Sequence, residues 1–496
     1  MTVVLPLTLA AESLPERVGV QDTLEALTYA ALDRLSGRLA SHVRAAGVDC
    51  VAMLAQNSVA FPALFFGAAK AGVPFVPMNY RLTDAQLDRQ AALLGRALLV
   101  TDPATAGRIA PREGLAIIDT RTLIEAVADL PLTDADPDPQ SEACWLFTSG
   151  TTGEPKTALL SHANLTAYVF GTVDPLSATE DDAVLASVPP YHIAGLVGIL
   201  SNVFAGRRVV FLDQFSAEHW VDRAASAKVT QAMVVPTMLG RILDVLAARD
   251  ETLPHLRSLS YGGGRMPTDV IRAALERLPH VGFTNAYGLT ETASTITLLS
   301  PADHREARLA DTPEVRARLG SVGRPLPGIE IEIRKADDSP AAPTERGEIW
   351  VRGPQVSGAY RGKGPTLRDG WFNTRDEGWM DAAGYLFLAG RTDDVIVRGG
   401  ENISPGEIED TIIAMPEVAD VAVVARPDRE WGEVPVAFVV LRPGAALAAE
   451  AIRSRVRGAL RSTRVPAEFL FVAALPYNET GKLLRAELRA RLRSAA

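Results

Sequence analysis

Two apolar rhythms alternate along the first 300 residues. Val51-Ala-Met-Leu54, Leu98-Leu-Val-Thr101, Ala183-Val-Leu-Ala-Ser-Val188, Arg208-Val-Val-Phe-Leu212 and Ala232-Met-Val-Val235 are short runs that read as strands. Helical stretches separate them, such as the apolar run from Phe61 to Ala71. Leu27-Thr-Tyr-Ala-Ala-Leu begins as a strand and continues with helical spacing, and Gly72-Val-Pro-Phe-Val-Pro77 reads as strand and turn. Regular alternation of strand and helix predicts parallel-type sheets with helices on both faces.

The texture changes past residue 310. Ile329-Glu-Ile-Glu-Ile333 and Gly347-Glu-Ile-Trp-Val-Arg352 alternate apolar and polar positions, which predicts a small antiparallel β-unit. From about Asp393 the pattern reads helix, two strands, then helices, an α+β unit near the size of a small domain. Asp134 to Gln140 and Asp337 to Glu345 are acidic, Pro-containing surface loops, and no internal repeat interrupts the pattern. The expected fold class is α/β: a large N-terminal domain with parallel-type sheets flanked by helices plus a small β-unit, and a small α+β C-terminal domain, which the resemblance named below implies is mobile.

Length and composition narrow the class. A chain of 496 residues exceeds one compact core. Its 47% hydrophobic and 22% charged residues are ordinary for a globular enzyme. A net charge of −10 argues against nucleic acid or an anionic membrane surface as partner. Cys50 and Cys144 sit in apolar runs and read as packing thiols, which suits a reducing cytosol. No basic leader and no run of membrane-spanning length is present, so a cytoplasmic enzyme is expected.

The chemistry concentrates in Phe147-Thr-Ser-Gly-Thr-Thr-Gly-Glu-Pro-Lys156. Gly150 and Gly153 let the backbone curl into a concave nest of N–H groups. Thr148, Ser149, Thr151 and Thr152 add hydroxyls, and Lys156 adds a point charge suited to a phosphate. The loop follows the strand-like Cys144-Trp-Leu-Phe147 and precedes a helix start at Ser161-His-Ala-Asn-Leu165, so strand, phosphate loop, helix is expected. The spacing is not that of a P-loop. Read from its residues alone, the segment is a phosphate nest or a Ser/Thr-rich surface turn. Two further glycine turns join it. Tyr261-Gly-Gly-Gly-Arg-Met-Pro267 allows close backbone approach to a ligand. Val281-Gly-Phe-Thr-Asn285 leads into Tyr287-Gly-Leu-Thr-Glu291, where a ring, a hydroxyl and a carboxylate could meet a purine, a phosphate and Mg²⁺. Read from their residues alone, the first turn is equally a plain loop, and the second is more often a loop with a helix cap.

Thr148-Ser-Gly-Thr-Thr-Gly-x-Pro-Lys156 resembles the signature of the adenylate-forming superfamily: acyl-CoA synthetases, fatty-acyl-AMP ligases, luciferases and peptide-synthetase adenylation domains. The remaining motifs follow in the family's order, closest in look to bacterial acyl-CoA ligases. The resemblance implies that ATP lies against the phosphate loop and against Gly263, Gly264, Asn285, Ala286, Tyr287 and Gly288. It implies that Thr290 and Glu291 serve catalysis, with Glu291 and Thr151 on Mg²⁺. Trp371-Phe-Asn-Thr-Arg-Asp376 is similar to a family segment whose aspartate holds the ribose, which implies that role for Asp376, beside Arg391. His192, Gly262 and Arg265 would border the acyl pocket. Asp393 would be a hinge dividing residues 1–391 from residues 392–496, and Gly399 and Gly400 would line a thiol tunnel. Lys482, in Thr-Gly-Lys, would bridge the substrate carboxylate and the α-phosphate. The chain departs from the family pattern at Arg265, at Arg375, where glycine is usual, and at Thr157-Ala-Leu-Leu160.

The activity so implied is ATP-dependent activation of a carboxylic acid, a fatty acid by default, to an acyl-adenylate. Transfer to coenzyme A follows. The alternative is a fatty-acyl-AMP ligase that loads the phosphopantetheine arm of an acyl carrier protein. Arg453, Arg455, Arg457, Arg461 and Arg464 form a late basic cluster, read as a solvated helix face before a docking site.

Overall fold

The computed structural model describes residues 1–149, 155–364, 366–399, 401–478 and 483–494. They form two compact units.

The first unit holds Met1–Glu330 and Val351–Phe372. Its nine-stranded sheet runs in the order Arg324–Pro325, Ser294–Leu299, Gly282–Leu289, Ser258–Gly262, Gln231–Val234, Ala183–Ala186, Arg208–Phe211, Val18–Gln21, Ala26–Thr28. The strands from Gly282–Leu289 through Val18–Gln21 are parallel, and the outermost pairs on each side are antiparallel. A seven-stranded sheet is built the same way, with Phe75–Pro77, Cys50–Leu54, Ala97–Thr101 and Leu115–Asp119 in parallel. The short apolar runs of the sequence are these central strands, and Cys50–Leu54 and Ala97–Thr101 are buried at every position. Parallel strands need crossover helices, and helices cover both faces. The helix Ala60–Ala71 is buried almost throughout, which explains its apolar run. Cys50 and Cys144 are both free and buried, and burial pushes the Cys50 thiol up to about 12.

The second unit holds Ile331–Trp350 and residues from Asn373 to the end of the chain. One sheet orders Glu330–Arg334, Gly347–Arg352, Phe372–Met380 and Leu386–Arg391. The other pairs Glu401–Ile403, Ile396–Arg398, Gly432–Leu441 and Val418–Asp428 antiparallel, with Glu468–Phe471 parallel to Gly432–Leu441. The helices Pro405–Ile413 and Ala449–Ala459 put Ile408, Ile412, Ile452 and Val456 into the core of that sheet. The small β-unit thus packs with the C-terminal helices.

Candidate active site

The strands that flank the phosphate-loop residues pair with each other. Glu142–Ser149 pairs antiparallel with Pro155–Ser161, placing Thr148 opposite Lys156 and Phe147 opposite Thr157. The Thr148 hydroxyl donates to the Lys156 carbonyl at 3.5 Å. This corrects the strand, loop, helix order expected from sequence. The helix His162–Thr172 does begin where expected, with Ser161 as its cap, but a seven-residue strand lies between loop and helix. Ala158 and Leu160 bury alternate positions of that segment and Trp145 and Leu146 pair with it, so it stays extended. The candidates Gly150, Thr151, Thr152 and Gly153 lie outside the described residues, as does the side chain of Ser149.

Strand Gly282–Leu289 delivers the second candidate group. It alternates, burying Phe283, Asn285 and Tyr287, and the Asn285 amide donates to the Ser321 carbonyl at 3.0 Å. The strand ends in a 3₁₀ turn, Thr290–Thr292, which carries Thr290 and Glu291. Thr292 ties the turn down, accepting from Leu289 N–H at 2.9 Å and donating to the Ser294 carbonyl at 2.8 Å. Ala293 and Ser294 follow at φ of 48° and 96°, conformations that ordinary side chains seldom adopt. A side chain on Gly288 would stand 1.7 Å from the Ser294 carbonyl, and one on Gly262 would stand 2.3 Å from the Ala286 carbonyl. Close approach of neighbouring strands therefore requires both glycines before any ligand is considered.

The Glu291 carboxylate has a partner that sequence reading missed. The Tyr360 hydroxyl donates to Glu291 Oε1. Tyr360 lies on the short strand Ala359–Tyr360, opposite Ala158 and so two residues along from Lys156. The backbone N–H of Ser357 donates to the Glu291 carbonyl at 2.9 Å, and the Gln355 amide donates to the Thr292 and Thr295 carbonyls at 2.8 and 2.7 Å. One segment, Gln355 to Tyr360, thus braces the acidic turn and borders the phosphate-loop hairpin. Its only sequence signal was a pair of polar residues amid glycine and proline.

No cluster of three metal-binding side chains occurs among the described residues. A single carboxylate on a braced turn fits Mg²⁺, which keeps waters and takes the remainder of its ligands from substrate phosphates.

Upstream, Tyr261 is anchored by a buried hydrogen bond of 2.7 Å to His304 Nε2, while His304 Nδ1 donates to the Ser300 carbonyl at 2.8 Å. Gly263 follows at φ 79°, exposed, with Arg265 also exposed. His192 stands at the start of the helix Ile193–Ala205, its ring 4.6 Å from that of Tyr191, which in turn meets Tyr80 edge-on at 5.3 Å. Below this helix is a cavity of about 50 Å³, lined by Asn57, Phe61, Val188, Gly198, Phe211 and Met233 among others. His192, Gly262 and Arg265 do not line it; Ala194, Gly195 and Gly198 of the helix that His192 begins do.

The second unit carries the other candidates. Asp376 and Arg391 are partners in the antiparallel ladder, 3.2 Å apart. Arg375 has φ 61°, the conformation for which glycine is favoured. The departure from the family pattern therefore leaves the backbone as glycine would set it. Asn373 supports the bend by accepting from Arg375 N–H at 2.7 Å, and the Thr392 hydroxyl donates to the Arg375 carbonyl at 3.1 Å. The backbone of Asp393 lies in the 3₁₀ turn Thr392–Asp394, and its side chain is outside the described residues. Gly399 has φ 58° and donates its N–H to the Trp431 carbonyl at 2.8 Å. Gly400 and Lys482 lie outside the described residues. Of the basic cluster, Arg464 is spent internally on Glu401 and Glu407. Arg453 packs over Phe469 and donates to the Pro466 carbonyl at 3.3 Å. Arg455, Arg457 and Arg461 remain exposed.

Fold and motifs together define an adenylate-forming enzyme, with two parallel-cored sheets in the large unit and a small α+β unit after it. The chain belongs to the AMP-binding enzyme family: the family model matches residues 7–361, and the model of the AMP-binding enzyme C-terminal domain matches residues 407–482. It is 33% identical over 490 residues to a feruloyl-CoA synthase of Amycolatopsis sp, covering 96% of each chain. It is 32% identical over 484 residues to a fatty acid–[acyl-carrier-protein] ligase of Streptomyces coeruleorubidus, covering 94% of this chain and 91% of that one. Its structure matches the o-succinylbenzoate CoA synthetase of Bacillus subtilis in complex with an acyl-adenylate intermediate. There the TM-score is 0.82 at 29% identity, over 98% of this chain and 97% of that one. No helix among the described residues is long and apolar enough to cross a membrane.

Proposed function

We propose that the protein joins a carboxylic acid to coenzyme A in two steps, through an acyl-adenylate. The observation that carries the reading is the braced carboxylate of Glu291, held by Tyr360 on the strand that pairs with the Lys156 strand. In the first step the acid's carboxylate attacks the α-phosphorus of ATP, and pyrophosphate leaves with the broken P–O bond's electrons. Two anions must meet, so catalysis here is chiefly positioning and charge neutralisation. Lys156, with Thr148, Ser149 and residues 150–153, holds the phosphates. Thr290 and Glu291 face the phosphates beside them, and Asp376 accepts from the ribose hydroxyls with Arg391 as its partner. Lys482 bridges the acid and the α-phosphate. Mg²⁺ on Glu291 and Thr151 would supply positive charge to the triphosphate. In the second step a turn at Asp393 presents Gly399 and Gly400 to the incoming thiol. The thiol sulfur attacks the acyl carbon, and AMP leaves.

An apolar acid suits the cavity under the His192 helix, whose lining is mainly aliphatic and aromatic. A cytoplasmic location suits a reaction that consumes ATP and CoA. A second reading, loading of a carrier protein's phosphopantetheine arm, is favoured by the similarity to the Streptomyces coeruleorubidus ligase. The test is pyrophosphate release across a panel of aliphatic and aromatic acids, followed by addition of CoA or of a holo carrier protein. Thioester with CoA is the expected result. Thioester with the carrier alone would establish the second reading, and no pyrophosphate with any acid would overturn both.

A further inference from the structure

The segment that bears Lys482 is fastened at its base on both sides. Tyr477 and Leu483 form an antiparallel bridge, and Leu484 N–H donates to the Pro476 carbonyl at 2.8 Å. On the incoming side, the Tyr477 hydroxyl donates to Asp420 at 2.9 Å. On the outgoing side stands Arg485, first residue of the helix Arg485–Ser494. Its guanidinium forks onto Glu409 at 2.6 and 3.0 Å and donates to the Val423 carbonyl at 2.8 Å. It also lies 3.4 Å from Asp394. Arg489, one turn on, reaches the other oxygen of Asp394 at 3.0 Å. Glu409 is locked in turn, accepting from Val423 N–H at 2.7 Å.

Helix docking alone does not account for this network. Leu488 and Leu492 already bury the helix against Ala422, Val424 and Phe438. The charges do something that apolar packing cannot, because a bidentate guanidinium fork fixes direction as well as distance. What they connect is specific. Asp394 immediately follows the candidate hinge residue, and Arg485 follows Lys482 by three positions.

We propose that Arg485 is a positioning residue that ties the base of the Lys482 segment to the residue after the hinge, so that in the first step, before the turn at Asp393, the lysine has a fixed base from which to reach the α-phosphate. The proposal rests on the role given to Lys482 above. A loose base would let the ammonium stray from the α-phosphate, and a displacement near 1 Å is enough to cost about a hundredfold in rate. Acceptor transfer, which does not use Lys482, is indifferent to the clamp.

The test uses the full chain with Arg485→Lys, which keeps the charge and loses the fork, and Asp394→Asn, which keeps the shape and loses the charge. Adenylation kcat, read as pyrophosphate release, should fall by about tenfold to a hundredfold in each, with KM for ATP near that of the parent. Thioester formation from supplied acyl-adenylate should be retained. In a Lys482→Ala background, Arg485→Lys should cost adenylation nothing further, the signature of a residue acting through another. Amide exchange between residues 476 and 484 should quicken in both variants while Val418–Asp428 stays protected. Equal loss of both half-reactions, additive loss in the double variant, or unchanged exchange at 476–484 would each overturn the clamp. If Lys482→Ala leaves adenylation intact, the functional reading fails, and the exchange measurement still decides whether Arg485 holds the segment.

Discussion

Asp376 and Arg391 stand opposite one another in adjacent antiparallel strands, with 3.2 Å between carboxylate and guanidinium. Asp376 is 8% exposed, and Arg391 is its ion-pair partner. A carboxylate held this way accepts hydrogen bonds without having to be ordered first. Asp376→Ala should therefore raise KM for ATP by about tenfold to a hundredfold, the loss of charge-assisted hydrogen bonds worth about 1.5–3 kcal/mol. Steady-state kinetics with ATP varied would show it, and an unchanged KM would remove Asp376 from the nucleotide site.

Arg375 offers a test of backbone against side chain. Its φ of 61° is one that glycine adopts freely and that β-branched residues resist. Arg375→Gly should leave stability within about 1 kcal/mol of the parent, because relief of strain offsets a more flexible unfolded chain. Arg375→Val should lose about 1–3 kcal/mol. Urea midpoints of the two variants decide it. A loss in Arg375→Gly as large as in Arg375→Val would mean that the side chain, not the bend, matters to stability.

His162 should make the protein acid-sensitive. Burial lowers its pKa from 6.5 to about 4, outweighing Asp136 and Asp138, which act the other way. The ring is neutral in the fold, and Nδ1 accepts from the Val3 N–H at 3.4 Å. Between pH 6.5 and 4 the unfolded chain takes up a proton that the folded chain refuses. Stability from this site is therefore complete above about pH 6.5 and declines as pH falls towards 4, by at most about 1.4 kcal/mol per pH unit. His162→Gln should flatten the stability profile in that window, as followed by denaturant midpoints from pH 4 to 7.5. An unchanged slope would assign the acid sensitivity to other groups.

The exposed arginines separate the two acceptors. Arg464 and Arg453 serve the fold, leaving Arg455, Arg457 and Arg461 to face solvent. With CoA as acceptor, the double variant Arg455→Glu, Arg457→Glu should keep KM for CoA within about twofold, as solvated surface charges do. If an acidic carrier protein is the acceptor, the same variant should slow its loading by about tenfold or more and lose its salt dependence. The two rates, measured side by side, are the check.

Sequence by itself determined what is local. The apolar runs 51–54 and 98–101 and the first four residues of 183–188 became central parallel strands because a run with little polar face is buried on both sides. The helix after Ser161 began where its Ser-x-x-Asn cap box stood, since both partners lie within three residues. The order of motifs sufficed to place the chain in its family. Tertiary structure decided what depends on the path of the chain. Tyr360 reaches Glu291 across 69 positions, and Arg489 reaches Asp394 across 95. No spacing or periodicity encodes such a meeting, because it depends on which strands become neighbours. The same cause explains the phosphate loop. Thr157-Ala-Leu-Leu160 carries too weak a pattern to announce a strand, and only pairing with Trp145 and Leu146 on one side and Ala359–Tyr360 on the other makes it one.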